Sequence, residues 1–187
     1  MEFVILGFLM LKQLTQYDLK SALERKASPF FSASLGSIQA ALKKLESNGH
    51  IAVNEVTEGK RHKKLYRITE AGRAHFLEWM MSPIAPSRLE NDAPTKLFFL
   101  GVMKPPERHV IIGAITEQLR TVVSEYEQNE SAIQRSAKPP SYEQIALFQM
   151  KTLELGTYYY RNMLIWFENL LAEMGENDHV PQPNTEL

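Results

Sequence analysis

The period of apolar and polar positions changes several times along this chain, and each change marks an element. Phe3 to Lys12 opens with nine apolar residues, Phe3-Val4-Ile5-Leu6-Gly7-Phe8-Leu9-Met10-Leu11, which predict a first helix buried on most sides. Leu14 and Thr15 make a turn, and Thr15 can cap a second helix over Gln16 to Lys26, with Asp18 in a capping-box-like position. Leu19 and Leu23 face inward on that helix, and Tyr17 and Lys20 outward. Pro29 ends it, and Phe30 and Phe31 in the following loop are expected to plug the core. Ser34 to Gly49 reads as a third helix. Its Ile38, Leu42 and Leu45 share one face at spacings of four and three. Ser34 suits the N-cap and Gly49 the left-handed stop. The period then shortens. Ile51, Val53 and Val56 suggest one strand, and Leu65 to Ile68 another, around the basic tip Glu58-Gly59-Lys60-Arg61-His62-Lys63-Lys64. Thr69 caps a closing helix with Glu70 in its first turn, and Ala71, Phe76 and Trp79 anchor it. Residues 1–81 therefore predict a winged helix-turn-helix domain.

Beyond it the pattern is helical. Two prolines in Ser82-Pro83-Ile84-Ala85-Pro86-Ser87 mark a linker over 82–91. Asp92 to Val102 predicts a short helix. After Pro105 and Pro106, residues Ile112, Ile115, Leu119, Val122 and Tyr126 follow heptad-like steps of three and four. Ser141 and Gln144 form a capping box that opens a last helix, about Tyr142 to Met174. It carries two apolar stripes. One is Ile145, Phe148, Leu155, Tyr159 and Trp166; the other is Met150, Leu153, Tyr160, Leu164, Phe167 and Leu171. Two stripes need two partner surfaces, and three helices over 92–175 make a thin core. A second copy of the chain is the natural supplier, so this part is expected to be a dimerisation and sensing domain. Its expected interface comprises Ile112, Ile115, Leu119, Val122, Tyr126, Phe148, Leu155, Tyr159, Trp166 and Leu170. Residues 176–187 are polar and read as a disordered tail. The expected fold class is mainly α with a small β-hairpin.

Composition narrows the function. Residues 1–81 carry 12 Lys and Arg against 8 Asp and Glu, while residues 82–187 carry 9 against 14. A basic first part joined to an acidic second part fits a DNA-binding module with an appended domain. The chain has no cysteine, and its five histidines include no pair at i, i+4, so neither a metal nor a cofactor is expected. No phosphate loop, dinucleotide fingerprint or nucleophile elbow is present, which argues against an enzyme. The apolar run at Phe3 to Leu11 follows an acidic Glu2 and is too short to span a bilayer, so a cytoplasmic protein without a membrane segment is expected.

A short helix with a buried face, small polar residues at its start and lysines further on suits the major groove of DNA. The basic tip behind it suits phosphates or the minor groove. Taken in order, five stretches resemble the PadR family of bacterial transcriptional regulators. They are Phe3 to Leu9, Tyr17-Asp18-Leu19, Ser28 to Ser34, Leu42-Lys43-Lys44-Leu45-Glu46, and Tyr66-Arg67-Ile68-Thr69-Glu70-Ala71-Gly72. The helical second half is similar to the larger subgroup, whose C-terminal helices build the dimer. The resemblance implies a regulator of double-stranded DNA, most often a repressor released by a small ligand. It implies DNA contacts from Tyr17, Ser34, Ser37, Ile38, Gln39 and Lys43, and from the wing residues Lys60, Arg61, His62, Lys63 and Lys64. Where the family commonly has a tyrosine, this chain has Gln39, whose amide suits adenine N6 and N7. Phenolic and other aromatic effectors in the family make Phe98, Phe99, Tyr158 and Trp166 the expected effector pocket, against the plainer reading of core packing. A transcriptional activator, or an adaptor that uses the same fold to bind protein, are the rival functions.

Overall fold

The apolar run at the start of the chain forms α1, Glu2–Leu11, in which Ile5 and Leu6 are wholly buried. The chain is described by a computed structural model over residues 1–24, 30, 34–58, 61–135 and 140–177. It divides into two compact units, Met1–Arg108 and His109–Leu187.

In the first unit α1 packs against α3, Leu35–Ser47, against α4, Glu70–Met81, and against the sheet. Leu14–Thr15, expected as a turn, is instead a two-residue strand, β1. It pairs antiparallel with Leu65 and Tyr66 of β3, Arg61–Ile68, whose other edge pairs with β2, Ile51–Glu58. The sheet order is β1-β3-β2, so the hairpin gains a third strand. A local pattern could not show this, because β1 is defined by a partner about fifty residues away. Helix α2, Gln16–Glu24, follows β1 directly. Phe30, expected in the core, is 53% exposed, and Phe31 lies outside the described residues.

Helix α3 ends at Gly49, whose φ of 73° is the left-handed conformation that glycine adopts without steric cost. The chain is then pinned to the start of α4. Thr69 Oγ1 accepts from the Gly72 amide at 3.0 Å and donates to the Gly49 carbonyl at 2.7 Å, while the Thr69 amide donates to the His50 carbonyl at 3.0 Å. Gly72 is needed here for space. A Cβ at that position would lie 1.9 Å from the His50 carbonyl oxygen.

The first unit runs past residue 81. The stretch 82–91 holds a turn of 3-10 helix, Pro86–Arg88, and the start of α5, Leu89–Phe98. Residues 92–102, read with the second domain, group with the first unit because Phe99 is buried among Phe8, Phe76 and Phe98. Its ring centroid lies 5.4, 5.8 and 4.9 Å from theirs, and its edge sits directly over Gly7. Lys96, on the same helix, is 98% buried. Its ammonium donates to the Ser82 carbonyl at the end of α4 and lies 5.3 Å from the centre of the Trp79 ring.

The second unit is a helical hairpin of α6, Pro105–Arg135, which begins in the first unit, and α7, Glu143–Asn177. Their cross-contacts include Arg120 with Glu168, Tyr126 with Tyr160, Glu127 with Arg161 and Glu130 with Thr157. Numbers climb on one helix as they fall on the other, so the helices are antiparallel. No helix among the described residues is long and apolar enough to cross a membrane.

Candidate nucleic-acid interface

Helix α3 presents its outer face because its inner face is apolar at helical spacing. Ile38, Ala41, Leu42 and Leu45 are buried, while Ser34, Leu35, Gly36, Ser37, Gln39, Ala40 and Lys43 are exposed. Ser34 caps the helix as expected, its Oγ accepting from the Ser37 amide at 3.1 Å; the Ser37 hydroxyl donates back to the Ser34 carbonyl at 2.8 Å. Both hydroxyls thus serve the cap, and the exposed face reads outward through its other side chains. Ile38 does not belong to that face. It is fully buried against the core and cannot reach a base edge, which corrects its assignment to DNA. Lys43 is exposed. Lys44 is held at 2.8 Å by Glu2 of α1.

Tyr17 is 77% exposed at the start of α2. A reciprocal cap fixes the turn beneath it. Asp18 Oδ2 accepts from the Thr15 amide at 2.9 Å and the Thr15 hydroxyl at 2.7 Å, and the Asp18 amide donates to Thr15 Oγ1 at 3.1 Å. These hydrogen bonds to the ionised carboxylate hold the Asp18 pKa below its ordinary value. Because β1 lies beside β3, this turn comes up against the wing. Tyr17 and Asp18 share a cleft of about 570 Å³ with Lys63, Lys64 and Tyr66. Burial, with Glu46 nearby, pushes the Tyr66 pKa up, so its hydroxyl stays neutral.

The wing differs from the expected loop. Arg61, His62, Lys63 and Lys64 lie in strand β3, opposite Glu58, Thr57, Val56 and Glu55 of β2. Pairing places Lys64 across from Glu55, and both Lys63 and Lys64 are exposed. Lys60 lies outside the described residues, and only the backbone of Arg61 and His62 is described.

The two stripes of α7 separate cleanly. Tyr160 and Phe167 are buried, and Met150, Leu153, Leu164 and Leu171 are half-buried. The other stripe is open: Ile145 is 50%, Phe148 67%, Leu155 67%, Tyr159 41% and Trp166 51% exposed. On α6 the expected interface needs correction. Ile112, Ile115 and Leu119 are buried within one chain and offer no surface to another. Val122 and Tyr126 are half-buried, Tyr126 stacking on Tyr160 at 5.4 Å, and Leu170 is half-buried.

Phe99, expected to line the effector pocket, is instead part of the core of the first unit. Phe98 is 37% exposed in the first unit, and Tyr158 and Trp166 project from α7 with 65% and 51% exposure. The first unit holds a different cavity, of about 250 Å³, lined by Phe3, Trp79, Arg88, Asn91, Asp92 and Thr95 among others. Phe3 and Trp79 stack there at 4.3 Å between centroids, and Arg88 grips Asp92 through two bonds of 2.8 Å. That pair raises the Arg88 pKa further. The spacing Arg88 to Asp92, i to i+4, was a legible signal for a helix pair. Its neighbourhood with Trp79 was not.

Residues 5–78 match the Transcriptional regulator PadR-like family. The chain is 25% identical over 175 residues to the negative transcriptional regulator PadR of Bacillus subtilis, covering 92% of this chain and 96% of that protein. The crystal structure of Bacillus subtilis PadR in complex with operator DNA is similar at 23% identity and a TM-score of 0.44, covering 92% of this chain and 96% of that one. The crystal structure of the same regulator in complex with p-coumaric acid has 22% identity and a TM-score of 0.41, with 93% and 94% covered.

Proposed function

We propose that the chain is a PadR-like transcriptional regulator, a homodimeric repressor that binds a two-fold DNA site and releases it on binding a small aromatic acid. The observation that carries the DNA reading is the cleft that joins Tyr17 of α2 to Lys63 and Lys64 of the wing, in the unit that also exposes the small, polar face of α3. In this reading α3 enters the major groove, and Lys43, Lys63 and Lys64 meet phosphates. Repression is supported by the relative in Bacillus subtilis, a negative regulator. The work is done in the cytoplasm, where the DNA is.

The open stripe of α7 supports the dimer. Phe148, Leu155 and Trp166 are large, apolar and at least half exposed on one helix. A second copy laid against them would bury the stripe and set two α3 helices on one duplex. For the effector, the p-coumaric acid bound by the Bacillus subtilis relative supports a small aromatic acid. The cavity of the first unit suits such a molecule, with the Phe3–Trp79 pair as an aromatic wall and the Arg88 guanidinium on its rim.

The test is fluorescence anisotropy of the full chain with the DNA upstream of its own gene, across a salt series and against a scrambled duplex. Tight binding to the upstream DNA that weakens steeply with salt is expected, because phosphate neutralisation releases counterions. Equal binding to both duplexes would contradict a specific repressor, and no binding at low salt would favour the adaptor. Adding p-coumaric acid should quench tryptophan fluorescence and lower the affinity for DNA in the same concentration range.

A further inference from the structure

Leu35, the first residue of α3, is 43% exposed. It stands one turn before Gln39, so the two side chains are neighbours on the outer face. They are separated by about 6 Å along the helix axis, at about 1.5 Å per residue, which is close to two base-pair steps of about 3.4 Å. The residues around them are small. Gly36 and Ala40 are exposed, and a Cβ at Gly36 would meet nothing closer than Ser34 Oγ at 3.9 Å. The Ser34 and Ser37 hydroxyls are occupied by the cap. The N-terminal half of the helix can therefore approach a groove floor closely, with Leu35 and Gln39 reaching furthest. An A·T pair presents two features to such a surface: the N6 and N7 atoms of adenine, which suit an amide, and the C5-methyl of thymine, which suits an aliphatic side chain. A leucine can use only the second.

We propose that Leu35 is a specificity-determining residue that packs on the C5-methyl of a thymine in each half-site, within about two base pairs of the pair read by Gln39. This rests on the reading that α3 enters the major groove, and the experiment separates the two. Full-length protein selects duplexes from a random pool. Each thymine of the selected site is then replaced singly by uracil, which removes the methyl and nothing else. Wild-type protein should show one sensitive position per half-site. The expected loss is about fourfold for one half-site, the equivalent of ~0.8 kcal/mol for one buried carbon, and about fifteenfold for both. Leu35→Ala should bind the thymine duplex correspondingly more weakly and be indifferent to uracil there. The variant removes an exposed side chain, and circular dichroism checks that it folds. If no thymine is sensitive in the wild type, or if Leu35→Ala still distinguishes thymine from uracil, the proposal fails while DNA binding stands. If no duplex is preferred, the DNA reading fails with it.

Discussion

The two units of this chain use apolar residues in opposite ways. In Met1–Arg108 the large side chains are enclosed: α1 is buried almost all round, Phe99 sits among three other phenylalanines, and the junction of α3 with α4 is closed by backbone and threonine hydrogen bonds. In His109–Leu187 the hairpin is held by one buried seam and by exposed ion pairs such as Arg120–Glu168 and Arg161–Glu127. Such pairs contribute little in water. Phe148, Leu155 and Trp166 of the hairpin face out. The first unit has its own core, whereas the second leaves apolar surface for another molecule to cover. In the proposed dimer, a chain built this way couples the folding of its second unit to assembly while its first unit stays preformed.

Substitutions at the tightest point of the first unit should have the largest effect. Gly72→Ala drives a methyl into the His50 carbonyl, a backbone group that no rotamer change can move. A loss of about 3–5 kcal/mol is expected, read as a fall in the urea midpoint of the Trp79 signal. Little change there would mean that the α3–α4 junction yields more easily than its hydrogen bonds suggest.

The contrast between the units is next tested on the stripe. The double substitution Phe148→Arg with Leu155→Arg places charge on a face already exposed in one chain, so helicity should survive. Dimer affinity should fall at least about a hundredfold, roughly 3 kcal/mol, in sedimentation equilibrium. An unchanged dimer would move the interface elsewhere and leave the exposed stripe unexplained.

A smaller effect concerns Lys96. Burial lowers its pKa to about 8, with Asp92 acting in the opposite direction. Between pH 8 and its ordinary value near 10.5 the unfolded chain holds this proton more often than the folded chain. Stability from this group therefore rises with pH across that window, by roughly 2–3 kcal/mol in total. Lys96→Met should remove that rise in denaturation curves taken at pH 8 and pH 10. The same slope in both proteins would show that Lys96 keeps its charge at little cost, through the Ser82 carbonyl and the Trp79 ring.

Much of this architecture was legible from residue order. The helices, the hairpin and the caps at Ser34, Thr69 and Thr15–Asp18 follow from rules that act within one turn or two residues. That range is short enough for neighbouring side chains to decide the outcome alone. The two stripes of α7 were visible for the same reason. Periodicity says that a face is apolar, however, and not what covers it. Only the tertiary structure decided that Phe148 and Leu155 stay open while Tyr160 closes on Tyr126 of α6 and Phe167 is buried. It also turned Ile38 inward, buried Ile112, Ile115 and Leu119 within one chain, and made Phe99 core. Leu14–Thr15 became a strand and Tyr17 joined Lys63 because β1 found β3 across the intervening helices. In each case the deciding contact joins residues far apart in sequence. Local pattern sets which elements form and which faces they offer, and packing sets which of those faces remain free to meet DNA, ligand or a second chain.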